Sequence, residues 1–192
     1  MKDIKKYVIN LKRRDDRLKS LKLPFQYEVF EATDGKKKFA EFGKMQGHIG
    51  CLDSHRRLFS FAKENNVDTL MVMEDDIEVD ENFNEKLENI MIQLPEDWDL
   101  LYLGGWNVGE KNSYSDLLDV AEKVYTTHAF IVKNKFFNTI IDSINSRDWK
   151  VDVLLSESLP KGKCFISNPT IAWQREGFSD IENKITNNIH LK

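Results

Sequence analysis

Leu70-Met71-Val72-Met73 is an unbroken apolar run that passes straight into three consecutive acids, Glu74-Asp75-Asp76. The run is too short for a helix, and its continuous pattern is that of a strand buried on both faces. Such strands belong to parallel sheets, which bind ligands just beyond the carboxyl ends of their strands. The three acids stand at that position. Adjacent carboxylates repel one another, so a cation or ample water must compensate them. An all-oxygen donor set suits hard ions such as Mn²⁺ or Mg²⁺, which bridge to substrate phosphates. A solvated turn that places negative charge before the next helix is the other reading of the same residues.

The rest of the chain sets this strand in an α/β context. Tyr7 to Leu11 and Leu100 to Leu103 repeat the buried-strand pattern, and Phe25 to Phe30 alternates. Lys12 to Leu18 opens a short helix, with Leu18 and Leu21 on its inner face. Helical spacing places Leu52, Leu58, Phe59, Phe61 and Ala62 on one face of a helix from about Cys51 to Asn65. Phe83, Leu87, Ile90, Met91 and Leu94 mark a second helix, stopped by Pro95. Lys135 to Ile144 is a third, and a shorter one follows Asp152. A strand is expected from Val124 to Val132, interrupted at Thr126-Thr127-His128, and a last one at Cys164 to Ile166. Residues 36–46 read as a polar loop, 107–119 as an irregular surface excursion, and the stretch after Pro169 as a non-regular tail. Strands alternating with helices predict an open α/β sheet with helices on both faces.

The 192 residues suit one domain, large enough to bury roughly 70% of its unfolded surface without a disulfide or structural metal. Cys51 and Cys164 form neither a ligand cluster nor a disulfide framework. The N-terminus lacks a signal-peptide core and no apolar stretch is long enough to span a bilayer, so the chain reads as soluble and cytoplasmic. The net charge of −4 conceals an asymmetry: residues 1–44 carry +6 and residues 53–99 carry −10. A basic segment beside an acidic one suits a phosphorylated ligand with its metal ion, although two solvated surfaces would give the same counts. There is no Walker loop, no dinucleotide-type glycine fingerprint and no Gly-x-Ser-x-Gly elbow.

What remains is an ordered series: Val8-Ile9-Asn10-Leu11 with Arg13, Arg14 and Arg17; Glu31-Ala32-Thr33-Asp34-Gly35; Gly47-His48-Ile49-Gly50-Cys51-Leu52-Asp53-Ser54-His55; and Met73-Glu74-Asp75-Asp76. Thr127-His128-Ala129-Phe130-Ile131, Val151-Asp152 and Phe178-Ser179-Asp180-Ile181 follow. In these pieces, over roughly residues 6–182, the chain resembles glycosyltransferase family 25, the lipopolysaccharide-biosynthesis and collagen galactosyltransferase group. The resemblance implies a GT-A fold, a Rossmann-like open mixed sheet with residues 1–104 mainly holding a nucleotide-sugar donor and its metal. Residues 105–192 would then be mainly the acceptor side. It implies a UDP-sugar type of donor, Mn²⁺ or Mg²⁺ as cofactor, and inversion at the transferred carbon.

Asp76 and then Glu74 are the expected metal ligands, because alternate residues of an extended segment share a side. Asp75 would face the sugar hydroxyls or stay solvated. Asn10, Leu11 and Arg14 would hold the nucleoside, and Arg13 and Arg17 would offer charge to phosphate or lie on a helix surface. Ser54 and His55 are placed at a helix start, where free N–H groups favour anions. Asp34 would close over the nucleotide or simply form a turn. Asp152 is the expected base for the acceptor hydroxyl, with His128 as rival base, metal ligand or acceptor contact, unless it is a satisfied core residue. Trp106 is either a stacking platform for an acceptor sugar or part of the core. The acceptor is a hydroxyl on a glycan, a protein or a modified nucleic acid, a hydroxylated DNA base being the alternative within the same chemistry. A metal-dependent phosphoesterase or nuclease, or a non-catalytic nucleotide-sugar-binding protein, are the readings from other classes.

Overall fold

The computed structural model describes residues 4–108 and 111–186. Its strands are β1 (Ile4–Asn10), β2 (Glu28–Glu31), β3 (Thr69–Glu74), β4 (Ile77–Val79), β5 (Leu100–Tyr102), β6 (Trp106–Asn107) and β7 (Ser113–Ser115), followed by β8 (Leu118–Val120), β9 (Val124–Tyr125), β10 (Ala129–Lys133), β11 (Cys164–Ser167), β12 (Ala172–Gln174), β13 (Gly177–Ser179) and β14 (Lys184–Thr186). The helices are α1 (Asp15–Ser20), α2 (Gly35–Lys38), α3 (Gln46–Glu64), α4 (Phe83–Gln93), α5 (Phe137–Ile144) and α6 (Val151–Ser156).

Eight strands form one mixed sheet in the order β2-β1-β3-β10-β5-β11-β8-β7. β1 runs parallel to both β2 and β3, with Asn10 beside Glu31 and Ile9 beside Glu74. Three carboxyl ends therefore lie along one edge, and the acids emerge there. β10 runs antiparallel between β3 and β5, so the sheet interleaves strands from both halves of the chain.

The continuous apolar run of β3 is explained by cover on both faces. Leu70 and Val72 join a core with Leu58 and Phe59 of α3, Ile140 of α5 and Leu154 of α6. Met71 and Met73 join a second core with Phe83, Leu87 and Ile90 of α4. All four β3 residues are fully buried, each contributing about 1.5–3 kcal/mol for its apolar side chain. The open α/β sheet with helices on both faces is thus as expected.

Several local expectations differ. α3 begins at Gln46 and not near Cys51, which places Gly47 and Gly50 inside the helix. Those glycines serve close approach: a Cβ on Gly50 would lie 2.7 Å from Gly35 N, and one on Gly47 would lie 2.9 Å from Ile181 Cα. Part of the expected 36–46 loop is α2 followed by a 3-10 stretch, Ala40–Met45. The 107–119 excursion supplies the short edge strands β7 and β8. The expected strand from Val124 to Val132 is two strands in different sheets, parted at Thr126, which has φ of 71°. The stretch after Pro169 holds β12, which pairs with β4, and the hairpin β13–β14. Among the described residues no helix is long and apolar enough to cross a membrane.

Candidate active site

β3 delivers Glu74, and the turn to β4 presents Asp75 and Asp76. β12 runs antiparallel to β4 and sets Gln174 opposite Ile77, beside the acids. The Gln174 amide donates to Glu74 Oε2 at 3.2 Å and reaches Asp76 Oδ1 at 3.5 Å. One NH₂ group thus faces both carboxylates, which places Glu74 and Asp76 on a common side. Thr127 donates its hydroxyl to Glu74 Oε1 at 2.7 Å. Asp75 is ion-paired with Arg17, whose guanidinium also approaches Asp76 at 3.3 Å. Arg175 fixes the turn from outside, its backbone N–H donating to Asp76 O at 2.9 Å.

These acids exceed the cations that touch them. Burial, followed by the charge of Asp76, raises the Glu74 carboxyl to about 8, against the Thr127 hydrogen bond. Burial also raises Asp75 to about 6, outweighing its pairing with Arg17. An oxygen donor pair in a negatively charged recess fits a hard divalent cation such as Mn²⁺ or Mg²⁺. No group of three or more His, Cys, Asp or Glu is placed to hold a metal among the described residues. Two carboxylates completed by substrate phosphate and water is the arrangement usual for Mg²⁺, whereas a two-metal phosphoesterase centre needs more protein ligands.

Two cavities meet at the acids. The first, about 120 Å³, lies beyond the ends of β1, β2 and β3, among Leu11, Arg13, Asp34, Gly35 and Asp180. The second, about 270 Å³, is bounded by His48, Thr126, Lys150, Asp152 and Glu182. Glu74, Asp76, Gln174 and Cys51 line both. Asp152, the second residue of α6, accepts from its neighbour Val153 N at 2.9 Å and from Thr126 N at 3.4 Å. Asp152 lines the second cavity and not the first.

The other expected residues divide. Asp34 caps α2 through Lys36 N at 3.1 Å, pairs with Arg13 at 3.0 Å and lines the first cavity, as does Leu11. Asn10 ends β1 nearly fully buried, donating to Leu11 O at 2.9 Å, while its Oδ1 has no partner among the described residues. Arg14 points instead to Asp16 and Asp180 and lines a neighbouring recess with Arg17 and Arg175. Ser54 lines the first cavity, but from the interior of α3: it donates to Gly50 O at 2.7 Å and accepts from Thr33 N at 2.9 Å. His55 is buried with Nδ1 at 3.0 Å from Cys51 O and lines neither cavity. The expectation that both residues open a helix is corrected, since α3 starts eight residues before Ser54 and its free N–H groups lie elsewhere.

For His128 the structure favours the satisfied core alternative. It is fully buried, with Nε2 at 3.1 Å from Ala172 O and Nδ1 at 3.1 Å from Thr126 Oγ1. Nε2–H donates and Nδ1 accepts in that tautomer, so neither nitrogen is left for substrate or metal. Burial lowers its pKa as well, keeping it neutral. Trp106 is 56% exposed, not core, and sits edge-on to Tyr125 at 6.1 Å outside both cavities.

A sequence model described as "Glycosyltransferase family 25 (LPS biosynthesis protein)" matches residues 3–157. The chain belongs to glycosyltransferase family 25. Within that family it is similar to procollagen galactosyltransferase 2 of Homo sapiens, 25% identical over 151 residues, covering 65% of this chain and 24% of the relative. Procollagen galactosyltransferase 1-A of Xenopus laevis is 30% identical over 125 residues, covering 51% and 20%. A glycosyltransferase 25 family member of Aedes aegypti is 26% identical over 156 residues, covering 66% and 26%. This family 25 chain spans about a quarter or less of the length of those relatives. Among solved structures, A197 from STIV shares the fold: TM-score 0.51 at 13% identity, covering 98% of this chain and 96% of that one.

Gln174 is the residue at this family 25 site that sequence reasoning missed. Its strand is three residues long, too short for a periodic signal, and it reaches the acids only through pairing with β4.

Proposed function

We propose that the chain is a glycosyltransferase that moves a sugar from a nucleotide-sugar donor, of the UDP-sugar type, to a hydroxyl acceptor with inversion. The observation that carries this reading is the junction of two cavities at Glu74, Asp76 and Gln174, with basic residues on one side and Asp152 on the other. The nucleotide would lie beyond β1 and β2, with Leu11, Thr33 and Asp34 around it. The acceptor would enter the second cavity, beside Thr126 and Asp152.

In this arrangement Asp152 takes the proton of the acceptor hydroxyl. The acceptor oxygen bonds to the anomeric carbon from the face opposite the phosphate, the carbon–phosphate oxygen bond breaks, and the nucleoside diphosphate leaves with the electron pair. Glu74 and Asp76 would hold a divalent ion, Mn²⁺ or Mg²⁺, which when bound neutralises charge on the leaving diphosphate. Gln174 keeps the two carboxylates facing one point, and Thr127 orients Glu74.

The test is turnover with UDP-, GDP- and CMP-sugars in Mn²⁺, comparing the wild type with Asp152→Asn. Turnover should fall by about 10²–10⁴-fold in the variant, the usual worth of a general base, with nucleotide affinity retained. Normal turnover by Asp152→Asn would remove Asp152 from the mechanism.

A further inference from the structure

The first cavity is covered by the hairpin β13–β14, and the hairpin is held down chiefly by charge. Asp180, at its turn, spans two guanidiniums: Oδ1 accepts from Arg13 at 2.6 Å and Oδ2 accepts from Arg14. Arg17 donates to Phe178 O at 2.7 Å, Glu182 meets His48 at 3.3 Å, and Lys36 reaches Asn183 at 3.4 Å. Apolar contact adds little, since Phe178 is 44% exposed and its cross-strand partner Ile185 is 72% exposed. A segment tied by polar contacts with little apolar burial opens locally at small cost.

Two observations bear on what Asp180 does there. A carboxylate bridging two guanidiniums makes the charge-assisted hydrogen bonds that phosphate oxygens make. The space left beneath the hairpin is about 120 Å³, and Ser179, Asp180 and Ile181 line it, so the seated hairpin narrows the cavity.

We propose that Arg13 at the first cavity, with Arg14 in the adjoining recess, forms the subsite for the donor's diphosphate and that Asp180 is its built-in competitor. This rests on the nucleotide-sugar reading of the first cavity. At rest Asp180 occupies the Arg13 and Arg14 guanidiniums, and Arg17 pairs with Asp75 and approaches Asp76. A diphosphate takes Arg13 and Arg14 in place of Asp180, and the hairpin leaves the cavity mouth. Gly47 is part of the latch, because its missing Cβ lets Ile181 sit against α3.

The experiment is calorimetric titration of inorganic pyrophosphate, UDP and GDP into the wild type, Asp180→Asn, Gly47→Ala and Arg13→Ala, with limited trypsin cleavage at Lys184 as a second readout. Asp180→Asn removes the competing charge, and Gly47→Ala lifts Ile181 without touching any charge. Each should tighten diphosphate binding by about ten-fold, as expected when a competent state rises from about a tenth of the population to most of it. Arg13→Ala should weaken binding, and saturating ligand should speed cleavage at Lys184 in the wild type. Weaker or unchanged binding in both Asp180→Asn and Gly47→Ala, or ligand protection of Lys184, overturns the proposal. If pyrophosphate behaves as stated but no nucleoside diphosphate binds, the competitor role stands and the nucleotide-sugar reading fails. Equal binding of a nucleoside diphosphate to wild type and both variants has the reverse meaning.

Discussion

Replacing Gly104 by Ala should damage both the fold and the site, through contacts that can be followed atom by atom. A Cβ on Gly104 would lie 1.8 Å from Ala172 O and 2.8 Å from His128 Nε2. The first contact is with backbone, so no rotamer change relieves it. Ala172 must move, straining its N–H bond to Leu103 O at 3.1 Å and the acceptor role of its carbonyl toward His128. Overpacking of this kind costs about 3 kcal/mol, at the upper end of the usual range. For a chain of this length that lowers the melting temperature by about 6–12 °C. Ala172 also opens β12, so the same displacement carries Gln174 away from Glu74 and Asp76. Gly177→Ala is the control, because nothing lies within 4 Å of its Cβ and its backbone is not in the left-handed region. That change should leave stability within about 1 kcal/mol or raise it slightly. Differential scanning calorimetry of both variants decides. A Gly104→Ala protein melting within about 1 °C of the wild type would refute the close approach of Gly104 to Ala172.

Two further predictions concern the site's rim. Burial pushes the Asp180 carboxyl up, but Arg13 and Arg14, themselves also paired with Asp34 and Asp16, outweigh it and hold Asp180 below the usual carboxylate range. A depressed folded pKa means that its stabilisation is complete above about pH 4 and is lost as the pH falls through the folded value. Melting temperatures between pH 6 and pH 3 should therefore fall less steeply in Asp180→Asn than in the wild type, and parallel curves would show that the ion pairs do not stabilise the fold. Trp106→Ala should cost under about 1.5 kcal/mol, because the ring is exposed and touches chiefly Tyr125. Its effect should appear as a raised acceptor KM with kcat nearly kept, and an unchanged KM would exclude Trp106 from acceptor binding.

The parts of this fold legible in the sequence are those whose cause is local. β3 announced itself because four adjacent apolar residues need cover on two faces, and both cores supply it. The acids at its end, and Asp152 at the start of α6, were legible as chemistry and do meet across one cavity. The start of α3 was not, because Gly47 and Gly50 look like helix breakers. Their reason is tertiary, the approach of Ile181 and Gly35. His128 looked available because its partners, Thr126 across a positive-φ kink and the Ala172 carbonyl 44 residues away, leave no local trace. The tail after Pro169 looked irregular because its strands are three residues long, yet it supplies Gln174 and Asp180. The charge asymmetry along the chain proved spatial, since Arg17 from the basic segment pairs with Asp75 and Asp76 from the acidic one.

Under the proposed function, Glu74 and Asp76 would engage a donor diphosphate through a divalent ion. The most direct test is the affinity of the nucleoside diphosphate selected by turnover, measured by calorimetry with and without Mn²⁺ on the wild type and Asp76→Ala. Binding to the wild type should tighten by about ten-fold or more with Mn²⁺, roughly the worth of one charge-assisted contact of 1.5 kcal/mol or above, and Asp76→Ala should lose this gain. Equal affinity with and without the ion, unchanged in Asp76→Ala, would contradict this engagement.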